Sequence, residues 1–159
     1  MASALSNVAR RGVAVRLAFN VEYANPIPVP PPPRAEPNLI DGLDVPTKPI
    51  PGVPDLMHHK YAVRDGEVVL TGSTNWTDDS WSREENVIAV VQSDGVAHAY
   101  ATDFEQLWST GNVAETGFVD PNPIRVEGKR VRAWFSPGHG EAMATRIGAA
   151  SVAPSGVSA

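Results

Sequence analysis

The first twenty residues show a helical hydrophobic pattern followed by a β pattern. Apolar side chains recur at helical spacing over residues 3–11 and share one face. Gly12 comes next, and glycine is common just past the end of a helix. Residues 12–20 (GVAVRLAFN) place an apolar side chain at every second position, as strands do. The pattern predicts a helix that packs on a sheet.

The clearest β pattern lies in the middle of the chain. Residues 57–64 (MHHKYAVR) and 67–72 (EVVLTG) are separated by Asp65 and Gly66. Asp-Gly between two such segments is a strong signal for a hairpin with a two-residue turn. Residues 86–91 (NVIAVV) predict a further apolar strand. The middle of the chain is therefore predicted to form a small antiparallel sheet.

The later part of the chain shows a helical pattern, then a β pattern and then a second helical pattern. Residues 95–109 predict a helix with Asp94 as its N-cap. Its apolar stripe is Val96, Tyr100, Phe104, Leu107 and Trp108. Residues 130–135 (RVRAWF) resemble a strand, and residues 140–150 predict a short helix.

Proline interrupts this regular pattern in one segment. Eleven of the fifteen prolines lie within residues 25–54. Because proline lacks an amide donor and fixes φ, this segment predicts an extended loop without a helix or central strand. It is interpreted either as a surface insertion or as a loop that borders the site following it.

Composition narrows the classes of function. A chain of 159 residues suggests one ordinary domain, and its net charge of -5 argues against sequence-independent binding of nucleic acid. The absence of cysteine excludes disulfides and thiolate metal sites. The four histidines form no HxH or HExxH pattern, so no metal site is predicted. The sequence contains no run of about 18 apolar residues, so no transmembrane helix is predicted. The first residues also lack the apolar core of a signal peptide.

Polar side chains with phosphate chemistry cluster in the predicted hairpin. His58 and Lys60 share one face of a strand because alternate residues do so, whereas His59 faces the other way. Ser73 and Asn75 lie two residues apart just after the second strand, so they can project together. An ammonium, a hydroxyl and an amide provide donors to a phosphate, and an imidazole is a nucleophile or acid near neutral pH.

The stretch MHHKYAVRDGEVVLTGSTNWT resembles the HxKxxxxD…GSxN motif (HKD motif) of the phospholipase D superfamily. The matching positions are His58, Lys60, Asp65, Gly72, Ser73 and Asn75. The downstream Glu85-Asn86-Val87 also resembles the family, in which that glutamate often orients a catalytic histidine. Arg83 departs from the family, which often has an asparagine there.

The resemblance implies a mechanism that needs two such motifs. One histidine attacks phosphorus and forms a phosphohistidine, and the other protonates the leaving oxygen, without a cofactor or metal. His58 takes one of these roles, and the nucleophile is favoured. Lys60 and Asn75 are expected to hold the phosphate, with Ser73 beside them. Asp65 completes the catalytic motif, and its place at the tight turn favours a structural role.

The resemblance also implies an α/β fold of the phospholipase D type, a mixed sheet flanked by helices, and here an incomplete one. Residues 1–110 resemble the C-terminal part of one such domain, and residues 111–129 are expected to be a linker. Residues 130–150 resemble the start of a second domain, and residues 151–159 are expected to be a disordered tail. The second motif is then expected from missing sequence or from a homodimer partner.

The sequence favours a phosphodiester hydrolase or transphosphatidylase. A phospholipid substrate is preferred over nucleic acid because of the acidic pI and because Trp76 and Trp81 follow the motif. One alternative is an HKD-type nuclease that works as a dimer. A non-catalytic remnant or binding domain is the other alternative, motivated by the single copy of the motif.

Overall fold

The structure is a computed structural model that describes residues 2–21 and 39–151. Its helices are α1 (Ala2–Arg10), α2 (Asp78–Ser82), α3 (Asp94–Thr110) and α4 (Gly140–Ser151), with a 3-10 turn at Val113–Glu115. Its strands are β1 (Leu17–Asn20), β2 (Thr47–Ile50), β3 (Tyr61–Arg64), β4 (Val68–Gly72), β5 (Ile88–Gln92), β6 (Ile124–Val126) and β7 (Lys129–Val131). The predicted α/β fold is confirmed.

The central sheet consists of β3, β4 and β5, all antiparallel, with β4 in the middle. The predicted Asp-Gly turn joins β3 to β4. Asp65 and Gly66 have φ angles of 54° and 69°, and the amide of Glu67 donates to the carbonyl of Arg64 at 3.0 Å. Two consecutive residues with positive φ are what a type I′ hairpin turn requires. The register pairs Arg64 with Val68, so three residues, 65–67, connect the strands, one more than the predicted two-residue turn.

The Pro-rich segment contains a strand, so the prediction of a loop over residues 25–54 is wrong at residues 47–50, whereas the other described residues of the segment contain no helix or strand. β2 pairs with β1 in parallel, and Phe19 opposes Pro49. Within the described residues this sheet has only two strands, so Pro49 can direct its missing donor away from the ladder. Residues 22–38, which include the Pro30–Pro33 run, lie outside the described residues. The predicted strand over residues 12–20 is shorter, because β2 offers only four partners.

Helix α3 covers one face of the central sheet and organises the core. Val96 and Ala97 pack on Val69 of β4. Leu107, near the other end of α3, packs with Ile50 and Met57. The N-cap is Ser93 rather than the predicted Asp94, since the Ser93 hydroxyl accepts the amide of Val96 at 3.4 Å.

Residues 111–135 also pack on α3. A hairpin of β6 and β7 places Ile124, Val126 and Val131 against the Val69 cluster. Ala133 and Phe135 are buried beside Ala99. The predicted strand over residues 130–135 is therefore mostly extended chain beyond β7, where burial against α3 replaces pairing with another strand.

The predicted helix over residues 140–150 is confirmed as α4. The division into residues 1–110, 111–129 and 130–150 stays a prediction. Of the predicted tail at 151–159, only Ser151 lies within the described residues, as the last residue of α4.

Candidate active site

The HxK segment lies directly before β3, in extended chain rather than within the strand that the sequence predicts. Its side chains nevertheless alternate in exposure. Met57 is buried, His58 is exposed and His59 is largely buried. The backbone amide of Met57 donates a hydrogen bond to Asn20 Oδ1 at 3.2 Å, which attaches the segment to the end of β1. The expectation that His58 and His59 face opposite ways is confirmed.

His58 is exposed, and Lys60 beside it is half-buried. Lys60 Nζ donates to the carbonyl of His58 at 3.1 Å. Partial burial and, secondarily, the positive charge of Lys60 lower the pKa of His58 below its ordinary value of 6.5. The imidazole is consequently neutral at neutral pH, the form in which it is a nucleophile.

Gly72 begins the GSxN turn and fits only without a side chain. A Cβ at Gly72 would lie 2.0 Å from the carbonyl oxygen of Val87, far inside van der Waals contact. This close approach comes from the β4–β5 ladder, in which Gly72 opposes Ile88. Glycine at this position therefore lets the turn lie against β5.

Ser73 is engaged within the protein. Its hydroxyl donates to Asn86 Oδ1 at 2.8 Å and accepts the amide of Val87 at 3.0 Å. A hydroxyl has a single hydrogen to donate, and here Asn86 receives it. In this arrangement Ser73 orders the turn, and its predicted contact with a phosphate would require that hydrogen bond to be exchanged.

Asn75 differs from Ser73 in its hydrogen bonding. It is exposed, and its amide makes no hydrogen bond to a residue within the described part of the chain. Its two donors are thus available to a ligand. In the β3–β4 pairing Tyr61 opposes Thr71. The same register carried one residue further places Lys60 opposite Gly72, at the start of the GSxN turn.

The acidic residue that the structure brings to the site is Glu84 rather than Glu85. Glu84 Oε2 accepts from Ser80 Oγ at 2.6 Å and from Asn86 Nδ2 at 3.1 Å. These hydrogen bonds, with a smaller contribution from Lys60, lower the pKa of Glu84. Glu84 in turn raises the pKa of Lys60, although burial lowers it by more. Glu85 is exposed and contacts no histidine among the described residues, so its orienting role remains only a prediction.

Asp65 lies at the opposite end of β3 from this cluster. Five residues of extended chain separate it from Lys60, or about 16 Å at roughly 3.3 Å per residue. Its exposed carboxylate lies 3.6 Å from Arg64 Nε. Asp65 therefore lies away from Lys60, and its structural role stays a prediction.

Comparison with known proteins identifies the family. Residues 1–108 match the family model described as "Cardiolipin synthase, PLD-like domain". The chain belongs to this family. The predicted resemblance to the phospholipase D superfamily is thereby confirmed.

Three relatives of this phospholipase D-like chain are mitochondrial cardiolipin hydrolases. That of Xenopus laevis is 42% identical over 62 residues, which are 39% of this chain and 30% of the relative. The human protein is 28% identical over 89 residues, covering 51% of this chain and 35% of the relative. That of Chlamydomonas reinhardtii is 33% identical over 52 residues, covering 33% and 23%. The matched stretch thus spans between about a quarter and a third of these relatives' length.

Two tryptophans of this phospholipase D-like domain lie beside the GSxN turn. Trp76 and Trp81 are 39% and 54% exposed, and their ring centroids lie 6.5 Å apart. Neither belongs to the buried core. Tryptophan is amphipathic, and exposed tryptophans are common at membrane interfaces.

The remaining histidines lie away from the motif. His139 is buried, accepts the amide of Phe135 through Nδ1 at 3.2 Å, and has Nε2 2.7 Å from the carbonyl of Val119. It holds the turn before α4 rather than facing a ligand. Within residues 2–21 and 39–151, no group of three or more metal-ligating side chains comes together. Nor does that part of the chain contain a helix long and apolar enough to cross a membrane.

Sequence reasoning missed one buried residue beneath the motif. Asp103 of α3 is 0% exposed and accepts a hydrogen bond from the Tyr61 hydroxyl at 2.8 Å. A signal was present in the sequence, since Asp103 lies seven residues after Val96 and four before Leu107, on the apolar stripe itself. A carboxylate at such a position is rarely buried without a partner.

Proposed function

We propose that this chain supplies one half of a phospholipase D-type active site that cleaves phosphodiesters through a phosphohistidine. His58 is the nucleophile, Lys60 and Asn75 hold the phosphate, and a second motif supplies the other histidine. The proposal is carried by one observation: the hairpin register brings Lys60 level with the GSxN turn while His58 stays exposed and neutral.

The chemistry balances with two imidazoles. A neutral ring nitrogen of His58 forms a bond to phosphorus as the bond from phosphorus to the leaving oxygen breaks. The second histidine, protonated, gives its proton to that oxygen. It then takes a proton from water or an alcohol, whose oxygen attacks phosphorus and releases His58. The ammonium of Lys60 stabilises the negative charge on the non-bridging oxygens during both displacements.

A phospholipid suits the surroundings of this site better than a nucleic acid. Helix α2 begins with Asp78 and Asp79, and Glu84 lies beside Lys60. Arg83, the nearby cation, is ion-paired with Asp79. A polyanion needs several free cations along its path, which this acidic rim does not offer. The exposed Trp76 and Trp81 favour instead the interface of a lipid layer.

Two sources are proposed for the second histidine: another copy of this chain, or a second motif in sequence joined to it. A symmetric pair places two copies of His58 in one site. In that case the turnover per chain rises with chain concentration until the pair is saturated. A site completed by joined sequence shows no turnover by this chain at any concentration, and turnover appears when that sequence is supplied.

The experiment measures hydrolysis of bis(4-nitrophenyl) phosphate in EDTA over a range of chain concentrations. His58→Ala is compared with His98→Ala, which removes an exposed histidine on α3 and serves as the matched control. Loss of turnover in His58→Ala alone supports the proposal. Turnover that survives His58→Ala contradicts it. Phospholipid vesicles and single-stranded DNA then replace the chromogenic substrate, and preference for DNA would overturn the lipid assignment.

A further inference from the structure

Three residues form a buried polar cluster directly behind the motif. This inward cluster consists of His59, Tyr61 and Asp103. The Asp103 carboxylate is fully buried, and its Oδ2 accepts from the Tyr61 hydroxyl at 2.8 Å. His59 Nε2 lies 3.4 Å from the same oxygen. One carboxylate oxygen of α3 therefore contacts two side chains of the motif segment.

Packing α3 on the sheet through the inward cluster costs desolvation free energy. A buried carboxylate loses its hydration, and apolar residues of similar volume often pack as well or better. Asp103 Oδ1 and His59 Nδ1 are buried without a hydrogen-bond partner among the described residues. The surroundings are otherwise suited to apolar packing, since Tyr100 and Ala99 of α3 form the adjacent core. Packing alone thus does not account for an acid at this position.

Alternation along the segment connects the inward cluster to the site. His59 and Tyr61 point toward α3, so the residues between and before them, Lys60 and His58, point away from it. The aromatic rings add directional contacts. Tyr61 meets His59 and Tyr100 edge to face, with centroids 5.8 and 5.0 Å apart. Fixing the two inward side chains therefore fixes the direction of the two outward ones.

We propose that Asp103 is a positioning residue that holds His59 and Tyr61 against α3 and thereby aims His58 and Lys60 at the substrate phosphate. The inference rests on the proposed function, because the phosphate is the target that the outward pair is aimed at. Asp103 itself touches neither substrate nor the reacting atoms.

Charge on the inward cluster is consistent with this role. Burial lowers the pKa of His59, the carboxylate of Asp103 raises it, and the nearby His58 and Lys60 lower it further. Burial and Asp103 together raise the pKa of Tyr61 far above its ordinary value, so its hydroxyl remains a donor.

Asp103→Leu separates positioning from packing. The leucine fills a similar volume but leaves the partly buried Tyr61 hydroxyl without its acceptor, so the melting temperature is expected to fall. His58 and Lys60 also lose the contact that sets their direction, and misplacement by about 1 Å lowers kcat roughly 10²-fold. Val96→Ala is the matched control on the same helix. It leaves a cavity against Val69 and lowers the melting temperature without touching the inward cluster.

The deciding measurement is the NMR spectrum of the histidine imidazoles, because a purely structural role of Asp103 would leave the His58 signals unchanged. Long-range ¹H–¹⁵N correlations report tautomer and environment for each histidine, with His58 and His59 assigned by substitution. Asp103→Leu is expected to shift the signals of both His58 and His59, and to lower kcat with little change in KM. Val96→Ala is expected to change neither. Asp103→Asn replaces Asp103→Leu if the leucine variant does not fold.

The outcomes separate this inference from the proposed function. If Asp103→Leu leaves the His58 signals and kcat unchanged, or if Val96→Ala shifts them equally, Asp103 is not a positioning residue. If the wild-type chain has no turnover, the spectra still decide, because they need no substrate. His58 signals that move in Asp103→Leu alone then support the positioning role, while the proposed function is rejected only if turnover is also absent once the joined sequence is supplied.

Discussion

His58 and His59 are adjacent in the chain but lie in different environments. His58 is exposed beside Lys60, whereas His59, one residue later, lies against a buried carboxylate. The difference follows from extended backbone, which turns successive side chains to opposite sides. The outward side offers the groups for chemistry, and the inward side attaches them to α3. The comparison shows that the middle residue of the HxK segment contacts α3, whereas the exposed His58 does not.

The largest effect is expected from removing each histidine in turn. His58→Ala removes the proposed nucleophile and should lower kcat by roughly 10²- to 10⁴-fold or more, with the fold unchanged. His59→Ala should have the smaller kinetic effect and should lower the melting temperature, because it leaves a gap beside Asp103. Steady-state kinetics and thermal unfolding of both variants measure this. A larger loss of kcat in His59→Ala would reverse the roles assigned to the two sides.

The next effect concerns the turn that faces the outward side. Gly72→Ala forces a methyl group against the Val87 carbonyl, so β4 and β5 must separate, at a cost of about 1–3 kcal/mol in the free energy of unfolding. Gly148→Ala is the matched control on α4, where a Cβ meets nothing within 4 Å and alanine favours the helix. Urea unfolding compares them. Equal stability of Gly72→Ala and wild type would contradict the close approach of the turn to β5.

Local signals predicted the parts of the fold that local physics decides. Asp65 and Gly66 specify their turn because few other residue pairs adopt two positive φ angles, and the helical spacing of residues 95–109 specified α3. The strand at residues 47–50 was missed because a proline-rich segment gives no sign of a partner strand thirty residues away. Pairing with β1 is a tertiary contact, and it overrode the composition.

The motif can be recognised in the sequence, whereas the contacts that hold it against the rest of the fold cannot. The spacing of His58, Lys60 and Asn75 was readable because each residue carries chemistry that a phosphate needs. Which of two neighbouring glutamates turns toward Lys60 depends on the bend after α2, which no local pattern specifies. Asp103 contacts Tyr61 from 42 positions away, and no signal within the motif reveals that contact.

A smaller effect is expected in the titration of His58. Its pKa is lowered first by burial and then by the charge of Lys60. Lys60→Met removes that charge, so the pKa of His58 should rise while remaining below its ordinary value, because burial persists. The nucleophile is the neutral form, so the acid limb of kcat/KM in the wild type should lie below pH 6.5. The His58 Cε1 proton shift followed by NMR measures the change. A fall in the pKa would contradict the proximity of Lys60.

The smallest effect distinguishes the two glutamates. Glu84→Gln keeps an acceptor for Ser80 and Asn86 but removes the negative charge beside Lys60, so the pKa of Lys60 should fall. Because the pKa of Glu84 is lowered in the folded chain, its contribution to stability is present above its unfolded value near 4.5 and is lost as the pH falls through the folded value. Any difference in melting temperature between wild type and Glu84→Gln should therefore disappear in acid.

Glu85→Gln is the control that the chain itself provides, one residue along and exposed without a contact to the motif. It should leave the pKa of Lys60 and the acid dependence unchanged, as measured by the ¹³Cε shift of Lys60 and by thermal unfolding across pH. If Glu85→Gln changed the pKa of Lys60 and Glu84→Gln did not, the bend after α2 would present the other carboxylate. The orienting role expected of Glu85 from the family would then be restored, because that residue alone would face the outward side of the motif.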